Sequence, residues 1–160
     1  MLARDLVDRL AAMPRLLQAC AGRLPPDEWT RQPSPGLFSL VEHACHLRDL
    51  EEEGYTLRLR RLLREDDPSL DDFDGGAVAA GRGYPRQDLP GAVQAFTEAR
   101  ARNLLVLSGL DARALARTGR FGEHGTITVV RLAELMAEHD ASHRSELEDL
   151  FRALGVPPPA

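Results

Sequence analysis

Between Leu132 and Leu154 apolar side chains recur at steps of three and four, through Leu132, Met136, Leu147, Leu150 and Leu154. His139 and His143 fill the gap in that series. Steps of three and four stack side chains on one face of an α-helix, so two imidazoles stand in a stripe where leucine is the expected occupant. A long helix with such a stripe must bury it against other elements. Whatever faces the histidines must also satisfy them, because buried polar groups without partners are costly. An H-x-x-x-H spacing also arises by chance at surfaces and interfaces. It is not the HExxH protease motif, since Asp140-Ala141-Ser142 supplies no glutamate after His139.

The spacing predicts three further long helices. The first runs from Leu2 to about Ala21 on Leu6, Leu10, Met13, Leu17 and Cys20; Pro14 is expected to kink or break it. The second starts at the capping box Ser39-Leu40-Val41-Glu42 and reaches about Glu65, carrying His43 and His46. The third runs from Asp88, a candidate cap, to Gly109, with Pro90 in its first turn. The helix with the two histidines starts near Thr126 or Thr128 and ends before Gly155 and the prolines at 157 to 159. Residues 66–86, rich in Asp, Gly and Pro, read as a long solvated loop without EF-hand ligand spacing; its length suits a lid over a site or part of a dimer contact. Residues 110–125 form a second connection. No segment alternates like a strand, and no internal repeat is visible. The expected fold is all-α: a four-helix bundle with two longer connecting loops, one domain over residues 1–160.

At 160 residues and 43% hydrophobic content the chain can build the core of one domain. Its net charge is −5, lysine is absent, and no basic tract exists. Nucleic acid is therefore not an expected partner, since that affinity rests on neutralising phosphates. No run of about 18 apolar residues is present, and the amphipathic N-terminus is not a signal peptide. The expectation is a cytoplasmic protein with no membrane partner. Cys20 and Cys45 lie in apolar helical patterns and read as small core residues. A metal role for Cys45 is the lesser alternative, and two thiols alone do not argue a disulfide.

His43, His46, His139 and His143 occupy helix-interior positions, while His124 lies in a connection. Two histidines from one helix and one from a facing helix make a three-imidazole site that leaves a divalent metal one open position. Such a metal activates water or holds a thiolate. A closed structural site wants a fourth protein ligand, and no obvious one appears. Periodicity places His43 nearer the centre of its stripe than His46. Asp49, one turn beyond His46, can orient a ligand or act as a base. Asp140 reads as a surface or capping residue. Arg117 and Arg120 read as solvated, with an anionic substrate within their reach as the alternative.

Two stretches carry a resemblance. Gly36-Leu37-Phe38-Ser39-Leu40-Val41-Glu42-His43-Ala44-Cys45-His46-Leu47-Arg48-Asp49-Leu50-Glu51 resembles the second-helix signature of the DinB/YfiT-like four-helix bundle proteins, approximately Trp-Ser-x-x-Glu, three residues, then His-Leu-x-Asp-x-Glu, with Phe38 for the usual Trp. His139-Asp140-Ala141-Ser142-His143-Arg144-Ser145-Glu146 resembles the fourth-helix signature His-x-x-x-His-Arg-x-Gln, with Glu146 where glutamine is common. The resemblance spans essentially the whole chain. It implies metal ligation by His46, His139 and His143, which leaves His43 and Asp49 as residues behind the ligands. It also implies a metal-dependent hydrolase, or a transferase using a low-molecular-weight thiol, that acts on a small-molecule substrate as a homodimer. Zinc or nickel is the expected ion, ahead of manganese or iron. The competing expectation is a non-catalytic metal-binding or stress-response module whose dimer is its function.

Overall fold

A computed structural model describes residues 1–159. Helix α1 (Arg4–Arg23) runs through Pro14 unbroken, which removes the break and leaves the kink of the two expected outcomes. The missing Pro14 N–H frees the Leu10 carbonyl one turn back, and that oxygen accepts a hydrogen bond from Arg100 Nη1 at 2.9 Å. Helix α2 (Leu40–Asp49) opens with the Glu42 carboxylate accepting the Ser39 N–H at 2.8 Å. It passes through a π-helical stretch, Leu50–Tyr55, into α3 (Thr56–Arg64). A π stretch shifts the helical register and is often found at functional sites. Here Asp49 and Glu51 are buried while Glu52 and Glu53 stay exposed.

The connection after α3 is more ordered than a solvated loop. It holds strand β1 (Ser69–Leu70) and helix α4 (Gly75–Arg82), capped by Asp74 accepting the Ala77 N–H at 2.9 Å. Tyr84 is fully buried and donates its hydroxyl to Asp49 Oδ2 at 2.7 Å; Arg82 Nη1 donates to the same oxygen at 2.8 Å. Helix α5 (Leu89–Ser108) follows, capped by Asp88. The second connection contains α6 (Ala112–Leu115), β2 (Thr118–Phe121) and β3 (Thr126–Thr128). Strand β2 pairs in parallel with β1 and antiparallel with β3. The expectation of no strands is thus corrected. In β2 burial alternates but one of the buried positions is Gly119, and β1 and β3 are shorter still, so no apolar alternation shows in the sequence; Leu70, Phe121 and Ile127 are the buried apolar contacts. Helix α7 (Val129–Ala153) starts with Thr128 Oγ1 accepting the Arg131 N–H at 3.1 Å.

The four long elements α1, α2–α3, α5 and α7 form a four-helix bundle in which α1 and α2 each pack against both α5 and α7. Its core has two apolar halves. One joins Met13, Leu47, Phe96, Leu147 and Phe151; the other joins Leu10, Leu50, Leu62, Leu107, Leu132 and Met136. On every long element the change of half coincides with one polar layer. That layer holds the Leu10 carbonyl, His46, Glu51, Arg100, Asn103, His139, Asp140 and His143. Cys20 and Cys45 are buried outside it, and burial raises their thiols to about 12 and about 11, beyond ordinary reactivity. Among the described residues no helix is long and apolar enough to cross a membrane.

Candidate metal centre

Arg100 organises the polar layer. Its Nε and Nη2 donate to the two Glu51 carboxylate oxygens at 2.9 Å each, and its Nη1 and Nη2 donate to Asp140 at 2.6 and 3.1 Å. Asn103 Nδ2 adds a bond to Glu51 Oε1 at 2.7 Å. Burial acts to lower the Arg100 pKa, but the two carboxylates hold it above the ordinary arginine range. The surface or capping role expected for Asp140 is therefore corrected. The face of α7 next to the histidine stripe meets α1 and α5 rather than solvent, and the carboxylate fixes the helix where His139 departs.

His46 from α2 and His139 and His143 from α7 converge. His46 Nε2 lies 3.3 Å from His139 Nε2, and His139 Nε2 lies 3.1 Å from His143 Nε2. His43 points elsewhere: its Nδ1 is 3.1 Å from His143 Nδ1, so it stands behind the cluster. Burial lowers His46 and His143 to about 4 and His43 and His139 to about 3; for all but His143, neighbouring imidazoles add to the effect. All four rings are neutral at pH 7, and neutral imidazole is the metal-ligating form. Glu146 Oε2 lies 2.9 Å from His143 Nδ1. A proton on that nitrogen leaves the Nε2 lone pair facing the cluster, the usual carboxylate support of a ligating histidine.

The donor set fits a divalent ion. Zinc–imidazole bonds of about 2.0–2.1 Å in a tetrahedron set nitrogens about 3.3 Å apart, close to the spacing here. His46 Nδ1 and His139 Nδ1 are buried without hydrogen-bond partners. Phe38, standing where the related signature has tryptophan, packs its ring on His43 and His46 at 5.5 Å from each. Gly75 at the start of α4 closes over His46, where a Cβ would come within 2.5 Å of Cε1.

Asp49 does not hydrogen-bond to His46. Its carboxylate is taken by Arg48 Nε at 2.7 Å, Arg82 and Tyr84, so it docks the α4 segment onto α2. Arg117 donates to the carbonyls of Leu62 and Glu65 at the end of α3, and Arg120 pairs with Asp67 at 3.6 Å; neither lines the site.

A cavity of about 330 Å³ opens beside His46 and His139. Leu50, Tyr55, Phe73, Phe121 and Leu135 supply its apolar walls, and Arg58 and His124 face it as well. Sequence spacing did not flag this group, because it comes from separate elements brought together by the π stretch and the small sheet. Glu146 was within reach of spacing, at i+3 from His143.

The DinB superfamily model matches residues 9–147. The chain belongs to the DinB superfamily. Among solved structures it is similar to YfiT from Bacillus subtilis, described as a probable metal-dependent hydrolase with an unusual four-helix bundle topology. The TM-score is 0.85 at 18% identity, over 98% of this chain and 91% of that one. It is also similar to the DinB-like protein YjoA from Bacillus subtilis, with a TM-score of 0.59 at 16% identity, over 98% of this chain and 97% of that one. At these identities the likeness speaks for the fold. No curated protein matches the chain. The DinB-like fold accounts for the placement of the cluster: α2 and α7 face each other, and each signature stretch delivers its histidines to their contact.

Proposed function

We propose that this DinB-like protein is a divalent-metal-dependent enzyme of small-molecule chemistry, with His46, His139 and His143 as the metal ligands. The observation that carries the reading is the convergence of three neutral Nε2 atoms beside a cavity. A divalent ion held there supplies Lewis acidity and lowers the pKa of a water or thiol that reaches its open position. The protein's own contributions are distinct. Glu146 holds the tautomer and orientation of His143. The Arg100 network fixes the backbone from which His139 projects. Gly75 and Phe38 fix the ring of His46. The aromatic walls thin the water around a bound substrate.

Hydrolysis and transfer to a low-molecular-weight thiol both use this arrangement. The likeness to YfiT, a probable metal-dependent hydrolase, supports hydrolysis as the first activity to assay. A cavity beside the ligands favours an enzyme over a purely metal-binding module. A cytoplasmic homodimer, with zinc or nickel ahead of manganese or iron, completes the proposal.

The test is metal content of protein purified without a nickel column, for wild type and His139→Ala. The expected result is about one divalent ion per chain in wild type, lost in the variant while helical circular dichroism persists. A wild-type chain that arrives without metal and takes up no added zinc, nickel or manganese overturns the reading.

A further inference from the structure

Arg58 and Arg100 are both buried guanidinium groups, with 5% and 1% exposure, yet their surroundings differ. Arg100 donates to two carboxylates and a carbonyl. Arg58 lies at the cavity wall with its Cζ 4.4 Å from the Phe121 ring centroid and 5.5 Å from that of Tyr55. Its Nε donates to the Asp71 carbonyl at 3.0 Å. Its ion-pair partner is Asp72, 3.9 Å from Nη2, and that side chain is 93% exposed. A buried cation is tolerated when it is paired and hydrogen-bonded, and here the two rings and one carbonyl partly compensate the charge while no buried carboxylate neutralises it. Holding one backbone carbonyl needs a donor but not a charge.

No other carboxylate pairs with Arg58: Asp71 is exposed and pairs with Arg61 at 3.5 Å, acting on Arg58 only from a distance. Glu138 is occupied by Arg131 at 2.6 Å. His124 stacks on Phe121, 5.2 Å between centroids. The Tyr55 ring, 6.2 Å from that of His139, stands next to both the imidazole cluster and Arg58. The cavity thus presents metal-ready nitrogens, an apolar wall and a buried cation in sequence.

We propose that Arg58 is the anchor for an oxyanion, a carboxylate or phosphate-like group, on the apolar small molecule that occupies this cavity. The proposal rests on the functional reading of the cavity as a substrate site. A planar fork of N–H donors matches a carboxylate in bidentate fashion and binds phosphate-like oxygens as well. The bound anion replaces Asp72 as the counter-charge, and the apolar part lies along Tyr55 and Phe121. Arg58 is thereby a specificity residue for substrates with an anionic end.

The test is a calorimetric titration of wild type, Arg58→Gln and Arg58→Met with 3-phenylpropanoate, its neutral amide 3-phenylpropanamide, and 2-phenylethylphosphonate. Each protein is titrated zinc-loaded and after metal removal, with metal content measured. Wild type is expected to bind at least one of the two anions roughly tenfold or more tightly than the amide, in line with a charge-assisted pair. The preference is expected to survive metal removal and to vanish in Arg58→Gln, which keeps a donor for Asp71. Arg58→Met serves the same purpose should the glutamine variant unfold. Equal binding of amide and anions by wild type, or an undiminished preference in a folded Arg58 variant, overturns the proposal. A preference that disappears with the metal also overturns it and leaves the metal reading standing. A chain that takes up no zinc but keeps an Arg58-dependent preference does the reverse.

Discussion

Pro14 and Arg100 are complementary: the proline leaves the Leu10 carbonyl without its helical donor, and the arginine, from another helix, donates to that oxygen at 2.9 Å. A residue that removes a backbone donor thus opens a polar contact in the bundle interior. The same guanidinium holds Glu51 and Asp140, so one side chain ties α1, α2–α3, α5 and α7 at the level of the imidazole cluster.

Arg100→Leu is expected to destabilise the protein by about 3–5 kcal/mol in urea unfolding, because it strands two buried carboxylates. Arg131→Ala breaks pairs with Glu134 and Glu138 that stand at the solvent boundary and is expected to cost far less. Equal losses for the two variants count against the polar layer as the organising contact.

Glu146→Gln keeps an acceptor beside His143 Nδ1 but removes the negative charge. Zinc affinity, measured by competition with a chromophoric chelator, is expected to fall about 10-fold or more, with thermal stability of the metal-free protein nearly unchanged. Unaltered affinity shows that the Glu146 charge does not act on metal binding through the His143 imidazole it touches.

Gly75→Ala drives a Cβ into the His46 ring, whereas a Cβ at Gly76 meets only Asp74 Oδ1 at 3.5 Å. Metal occupancy is expected to drop by at least about half in Gly75→Ala and to stay at the wild-type value in Gly76→Ala, since misplaced ligands weaken a site whose geometry they set. Matching occupancies in the two variants show that α4 does not position His46.

The four buried imidazoles set the acid limit of the metal-free protein. Their folded pKa values lie at about 3 to 4, below the ordinary 6.5. The unfolded chain therefore binds more protons between those values, and the stabilisation present above pH 6.5 is lost as pH falls towards 4. At pH 5 the loss is about 2 kcal/mol for each imidazole acting independently. Thermal melts in chelator at pH 7.5 and pH 5 are expected to show a clear drop, smaller in His43→Leu. Flat stability across that range contradicts neutral buried rings.

The chain's own patterning determined the four long helices, because each carries a stripe of apolar side chains at helical steps, and all but the first open on a capping side chain, Glu42, Asp88 or Thr128. It also singled out His46, His139 and His143, since polar rings in a leucine stripe demand a partner and the two signature stretches name which rings. It did not determine the layer those rings sit in. Arg100, Glu51 and Asp140 are far apart in sequence and look like surface charges; only packing of α1, α5 and α7 around them made them interior. The same holds for Pro14, whose missing donor has a consequence only when Arg100 arrives from another helix, and for Asp49, which the docking of Tyr84 and Arg82 drew away from His46. The cavity is the clearest case. Tyr55, Arg58, Phe73 and Phe121 have no common spacing, and a register shift at Leu50–Tyr55 together with a sheet of very short strands gathers them. Periodicity records which face of an element is buried; which side chains from different elements meet there is decided by long-range packing alone.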